Sequence, residues 1–197
     1  MTLKQFINKY DLQDSVVLLE GKRNVLDADS AKLTALGKLL ASRTKHITFR
    51  SGNASGADQL FADGVASVDN TRLQVITPYT GHRKKDNQAY STISLDDINI
   101  VSEPELIYHS KSNKKTEKLI DQYVSGVKNR NTVKAAYIIR DTVKVLGSEG
   151  IPQANFGIFY DDLDKAMSGG TGHTMNVCLQ NNIPIIDQIS WIKWLEE

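Results

Sequence analysis

The segment Phe49–Val68, FRSGNASGADQLFADGVASV, constrains this chain more than any other stretch. It opens on the end of a β-branched run, Ile47-Thr48-Phe49, and turns through Ser51-Gly52-Asn53-Ala54-Ser55-Gly56. A helix then starts at Ala57-Asp58. Ala57, Leu60, Phe61, Gly64, Val65 and Val68 carry the i, i+3, i+4, i+7, i+8 spacing that one buried helical face requires. Strand, glycine turn and helix N-terminus together present unpaired backbone N–H groups at a sheet edge, where an anion or polar ligand can sit. Ser168–Cys178 (SGGTGHTMNVC) repeats the device near the C-terminus. Two such units in one chain predict a ligand crevice.

The order of elements around these units predicts an α/β fold. Residues 2–12 read as a short helix with Phe6 and Tyr10 one turn apart. Ser15-Val16-Val17-Leu18-Leu19 is a continuous apolar run, as expected of a strand covered on both faces. It ends in the polar cluster Glu20-Gly21-Lys22-Arg23-Asn24. Asp27 to Ser30 offer capping side chains to a helix that buries Leu33, Leu36 and Leu40. A strand at 46–50 and the turn–helix unit follow, then a strand at Leu73–Ile76 stopped by Thr77-Pro78. Strand, helix, strand, helix, strand is the pattern of a parallel sheet with right-handed crossovers.

Further on, Tyr79–Gln88 reads as a polar loop, and residues 89–113 yield no assignment. Thr116, Leu119, Ile120, Tyr123, Val124 and Val127 mark an amphipathic helix. Asn131–Leu146 fits a helix ended by Gly147, with a strand at Thr142–Leu146 as the competing reading. Asn155–Tyr160 predicts a fourth strand and Ile183–Ile186 a fifth. The helix between them would bury Met175, Cys178 and Leu179. Trp191, Trp194 and Leu195 form a last amphipathic turn. No linker or repeat interrupts the chain, so one domain over residues 1–197 is expected.

Lysine and arginine number 24 against 23 acidic residues. Overall charge therefore predicts neither a nucleic-acid partner nor a membrane surface. The lone Cys178 excludes an intramolecular disulfide. No CxxC or HxxxH spacing suggests a metal, and nothing calls for a cofactor. The polar N-terminus has no signal-peptide core, and no run approaches a membrane span. A cytoplasmic protein is the expectation, and a homo-oligomer is compatible with it.

Every polar cluster named so far falls at the carboxyl end of an expected strand, where ligands of open parallel sheets lie. Charge separates the two glycine turns. Asp58, in the first helical turn, gains about 0.3–1 kcal/mol from the helix dipole and would repel a phosphate placed there. Gly169-Gly170-Thr171-Gly172-His173-Thr174 carries no acid. Hydrogen bonds to a charged group contribute about 1.5–3 kcal/mol each, so several donors there make a phosphate cradle. Phosphate is accordingly expected at the second turn, with Asp58 near ribose hydroxyls or bonded to its own loop. Blander roles compete: Asp58 as a helix-start acid, Arg23 paired with a carboxylate, His173 as a cap. His46, His82 and His109 show no partner in sequence and read as incidental, and Cys178 reads as core. The basic runs Arg83-Lys84-Lys85 and Lys111–Lys118 read as solvated surface.

Gly21-Lys22-Arg23, the SGNASGAD turn Ser51–Asp58, the Arg130-Asn131 pair and the SGGTGHT turn Ser168–Thr174 together resemble the SLOG superfamily. That group includes the lysine-decarboxylase-like LOG enzymes and DNA-processing protein A. The similarity spans roughly residues 15–190 and is nearest to small bacterial and phage members. It implies a Rossmann-like three-layer sandwich with a mostly parallel sheet of about five or more strands. It also implies a pocket for nucleotide-derived ligands. Carried over by position, the pocket would be lined by Gly21, Arg23, Ser51, Gly52, Asn53, Ala54, Gly56, Asp58, Ser168, Gly169, Gly170, Thr171, Gly172, His173 and Thr174. LOG enzymes release ribose 5-monophosphate from a nucleotide, using a glycine motif that ends in glutamate. Here His173 and Asn176 replace its threonine and glutamate, and an amide cannot serve as the general base or stabilise an oxocarbenium charge as a carboxylate does. Asn53 replaces a glycine of the first turn, where asparagine still tolerates positive φ.

The leading expectation is therefore binding or sensing of a nucleotide or nucleotide-derived small molecule. The alternative is a nucleotide N-glycosidase (phosphoribohydrolase) with Glu20, Asp58 or His173 as catalytic candidates. A single-stranded nucleic-acid binder ranks last, because no aromatic residues interleave with the lysines.

Overall fold

A computed structural model describes residues 1–127 and 129–197. Its elements in chain order are α1 (Leu3–Tyr10), β1 (Val16–Gly21), α2 (Asp27–Arg43), β2 (Thr48–Ser51), α3 (Ala57–Asp69), β3 (Leu73–Thr77) and β4 (Ser91–Ser94). Then follow α4 (Pro104–Ser110), α5 (Glu117–Val124), α6 (Arg130–Leu146), β5 (Phe156–Tyr160), α7 (Gly169–Gln180), β6 (Ile185–Ile186) and α8 (Gln188–Trp191). The six strands form one sheet in the order β4-β3-β2-β1-β5-β6, and every neighbouring pair is parallel. This is the Rossmann-like α/β sandwich expected, with one strand more than the sequence pattern located.

The alternation of side chains along a strand sorts the core into two layers. Val17 and Leu19 point to the face covered by α1, α2, α3 and the C-terminal tryptophans, where Phe61, Trp191 and Trp194 are fully buried. Val16 and Leu18 point to the other face, toward α7 and Val145 of α6. Burying a side chain of Phe size contributes on the order of 1.5–3 kcal/mol, so the paired layers hold the sheet from both sides. The same alternation sends Glu20 to the α6 side, with Val16 and Leu18. Gly21 is the last residue of β1.

Local signals account for most boundaries. Thr2 and Gln5 form a capping box at α1. Gly147 takes φ +73 at the end of α6, so Thr142–Leu146 is helix and the competing strand is excluded. Two expectations need correction, and one unassigned stretch gains a strand. β4 lies within the unassigned stretch 89–113; Ser91-Thr92-Ile93-Ser94 is an edge strand with one apolar residue, too short and polar to show a period. The last strand shrinks to Ile185–Ile186, with Pro184 supplying only a carbonyl to Gly157 N–H at 3.0 Å. Val68 and Leu179, expected on buried faces, are 43% and 50% exposed, and each is the last residue but one of its helix.

The chain steps outward from β1 to β4 and then returns to place β5 on the other side of β1. The strand order thus reverses between β1 and β5. In doubly wound sheets ligands enter the crevice outside the carboxyl ends at such a reversal. No helix among the described residues is long and apolar enough to cross a membrane.

Candidate functional site

At that reversal lies a cleft of about 390 Å³. Its walls are Glu20-Gly21-Lys22-Arg23 from the end of β1, Ala54 and Asp58 beyond β2, and Ser168-Gly169-Gly170-Thr171 beyond β5. The remaining wall, Lys134, Tyr137, Ile138, Arg140, Asp141 and Lys144, comes from α6.

The first glycine turn is closed. Asp58 is 4% exposed, and its carboxylate accepts from Gly21 N–H (3.1 Å), Gly52 N–H (3.1 Å) and Ala54 N–H (3.3 Å). Amides that looked available to an anion are therefore saturated by the chain's own carboxylate. Of the two placements anticipated for Asp58, the loop-bonded one is realised. Ser51 Oγ accepts from Asn53 N–H at 3.3 Å, and Asn53, at φ +54, donates its side-chain amide to Arg83 O at 3.2 Å. Ser51, Gly52, Asn53 and Gly56 thus lie outside the cleft lining, and the first three are buried behind it.

The second turn is open, and it is helical rather than a loop. α7 begins at Gly169, and Ser168, its N-cap, makes no side-chain capping bond. Ser168, Gly169 and Gly170 are exposed to the cleft. Among the described residues no side chain caps the amides of Gly169, Gly170 and Thr171, which carry the positive end of the helix dipole. The rest of the motif serves packing. A Cβ on Gly172 would collide with the Met167 carbonyl, and Thr174, fully buried, donates its hydroxyl to Gly170 O at 3.2 Å. His173, a catalytic candidate from the sequence, turns its ring toward α6. Its Nε2 lies 3.0 Å from Thr142 Oγ1, away from the cleft lining, and burial lowers its pKa.

The floor of the cleft joins Glu20, a candidate from the sequence, to α6 residues that spacing alone did not single out. Glu20 is 3% exposed, and its Oε2 accepts from Lys144 Nζ at 2.5 Å. Lys144 also bridges to Asp141 Oδ1 at 2.8 Å, and Arg140 Nε lies 3.1 Å from the same carboxylate. Arg140 Nη1 donates to Gly52 O at 2.5 Å, tying α6 to the first turn. The other oxygen of Glu20, Oε1, is buried without a hydrogen-bond partner among the described residues. Burial pushes the Glu20 carboxyl up to about 7; Lys144 opposes this, and the nearby Asp58 and Asp141 add to it. Burial also pushes Asp141 upward, but Arg140 and Lys144 outweigh it and hold its carboxyl below the ordinary value. Asp141 Oδ2 lies 3.3 Å from where a Cβ on Gly170 would stand. The fold thus brings beside the open turn an acid that the turn itself lacks, and surrounds that acid with cations.

A signal for this floor does exist. α6 is buried continuously from Ile139 to Val145, so charged residues there must pair. Spacing alone, which tracks Ile139 and Val143, does not reveal that. Around the cleft five basic side chains (Lys22, Arg23, Lys134, Arg140, Lys144) face three acids (Glu20, Asp58, Asp141). Lys22 pairs with Asp162 at 3.4 Å, and among the described residues no carboxylate pairs with Arg23.

Two histidines read as incidental prove to have partners. His82 Nδ1 lies 3.2 Å from Tyr79 Oη and 3.5 Å from Tyr137 Oη, and His109 Nδ1 lies 3.1 Å from Gln180 Oε1. Burial, with Arg140, Arg83 and Arg23 nearby, lowers the His82 pKa to about 4. Its ring is therefore neutral behind Tyr137, whose own ring packs 5.6 Å from the Arg140 guanidinium carbon. Cys178 is fully buried in the core, as expected.

Fold and cleft define a Rossmann-like α/β protein with a cation-rich crevice at its topological reversal. No protein-family model matches the chain, and no curated protein matches it in sequence. Among solved structures it is similar to DNA processing protein A from Helicobacter pylori, whose unique single-stranded DNA binding mode has been described. The TM-score is 0.47 at 12% identity, over 94% of this chain and 68% of that one.

Proposed function

We propose that this chain is a SLOG-type protein that binds a nucleotide or nucleotide-derived small molecule in the β1/β5 crevice, with a phosphate on the first turn of α7. The observation that carries this reading is the uncapped, exposed start of α7 opening into the same cleft as Arg23, Lys134 and Arg140. Gly169, Gly170 and Thr171 supply the amides, and the basic side chains supply the field. Asp58 and the first turn act as scaffold for β1 and α6 in this scheme. Calorimetric titration with nucleoside monophosphates, cyclic and ADP-ribose derivatives, and a short single-stranded oligonucleotide tests it. Binding of a mononucleotide is expected, with at least a tenfold loss (about 1.4 kcal/mol) in Gly170→Asp, which sets a second carboxylate beside Asp141. No binding at millimolar concentration, or a Gly170→Asp variant equal to the parent, sinks the proposal. Preference for the oligonucleotide, with affinity falling steeply in salt, would favour a nucleic-acid ligand instead.

A second reading, cleavage of a nucleotide N-glycosidic bond, draws on Glu20. A buried carboxyl poised near neutrality in the cleft supplies the acid–base group that Asn176 cannot. Free base released from nucleoside monophosphates, and lost in Glu20→Gln, would establish turnover. Absence of released base leaves binding as the whole function.

A further inference from the structure

A second cavity, of about 630 Å³, lies against another face of α6 and shares no lining residue with the cleft. Its walls come from Pro78-Tyr79 just beyond β3, the segment 96–101 beyond β4, the end of α5 and the first turns of α6. Most of the lining is aliphatic or aromatic. Ile100 and Ala136 form a depth that is almost fully buried, while Val101, Val127 and Val133 stand exposed at the mouth. A concave apolar site of this volume matches one small organic molecule. A flat protein face laid over the mouth would cover the valines and leave the depth empty, which close packing disfavours.

The polar groups decide what kind of molecule fits. Asn129 and Thr132 use their side chains in the capping box of α6, and Tyr79 Oη lies 3.2 Å from His82 Nδ1. Tyr123 lines the cavity half-buried, and its Oη makes no hydrogen bond among the described residues. Burial and the nearby Asp96 raise the Tyr123 pKa, so the hydroxyl keeps its proton and stands as a donor. Asp96 is the one charged side chain among the described lining residues, so an anion is repelled and no cation there offsets the repulsion. The cleft, rich in cations, has the opposite chemistry.

We propose that this cavity is a second ligand site, for an uncharged and largely apolar small molecule whose carbonyl or ether oxygen accepts a hydrogen bond from Tyr123 Oη. The site stands apart from whatever the cleft binds.

Nile red, an uncharged aromatic dye with a carbonyl acceptor, is the probe, titrated into the full chain and followed by fluorescence. Saturable binding of one dye per chain is expected, with emission shifted to the blue. Val133→Glu, at an exposed position on the mouth, should weaken binding about tenfold or more by adding a second carboxylate to the lining. Tyr123→Phe should weaken it roughly two- to tenfold, the size of one lost hydrogen bond. Ile189→Asp, on exposed surface of α8, should bind as the parent does, and saturating inorganic phosphate should not displace the dye. Several dyes per chain, or a Val133→Glu variant equal to the parent, overturns the site in favour of adsorption to scattered apolar surface. A Tyr123→Phe variant equal to the parent overturns the assigned hydrogen bond. No dye bound at micromolar concentration overturns the inference and leaves the reading of the cleft untouched. Self-association of the parent that Val133→Glu abolishes, again with no dye bound, overturns it in favour of an interface between copies of the chain.

Discussion

At the end of β2 the turn Ser51–Gly56 folds around Asp58, whereas beyond β5 the turn entering α7 faces solvent, with no side chain of the described residues across its amides. Both are strand, small-residue turn and helix start, and both leave backbone donors at the same edge of the sheet. The difference is one carboxylate. Asp58 lies in the first turn of α3 and reaches back to three amides, while Gly169-Gly170-Thr171 offer nothing comparable. A helix N-terminus is thus a site only when the chain has not already filled it. The filled turn holds β1, β2 and α6 in place; the open one can meet a ligand.

Opening the closed turn should have the largest effect. Asp58→Ala leaves the buried amide of Gly52 and the part-buried amide of Gly21 unpaired and removes charge-assisted hydrogen bonds, so a loss of about 3–5 kcal/mol is expected in urea denaturation. A loss below about 1 kcal/mol would show that water replaces the carboxylate and that the turn is less closed than described.

The floor joining the two turns should show itself through pH. Glu20 has its carboxyl raised from 4.5 to about 7 in the folded state. It therefore favours folding below 4.5, and that contribution is lost as pH rises through about 7. His82, lowered from 6.5 to about 4, favours folding above 6.5, and that contribution is lost as pH falls through about 4. Between roughly 4.5 and 6.5 the two oppose each other. Against the parent, Glu20→Gln should lose stability more steeply on acidification across this window, and His82→Gln less steeply. Parallel stability–pH curves for all three proteins would refute the assignment.

Closing the open turn should have the smallest effect on stability. Ser168→Asp supplies the cap that the serine hydroxyl does not make, adding about 0.5–1 kcal/mol, or a rise of a few degrees in Tm. The same variant should lose phosphate binding, since its carboxylate takes the amides as Asp58 does in the first turn. Unchanged binding would mean that the anion sits elsewhere in the cleft.

Much of this was legible in the residues alone. The apolar run at Val16–Leu19, the helix face through Leu33, Leu36 and Leu40, and Gly147 as a stop each act through neighbours in sequence, and each element lies where periodicity put it. β4 was not legible, because an edge strand with one apolar side chain draws its order from pairing with β3. Arg140, Asp141 and Lys144 were not legible as site residues, because a charged helix flank reads as solvent until something covers it. Here the sheet and α7 cover it.

Local order is what the sequence by itself determined: which segments are strand or helix, which face of each is apolar, and where small residues let the backbone turn. Tertiary structure alone decided that β5 returns beside β1, that Asp58 reaches Gly21 across 37 residues, and that Glu20 meets Lys144 across 124. The reason is one of range. Periodicity and turn chemistry act over a few residues, whereas the partner of a buried charge depends on which distant strands and helices the topology makes neighbours.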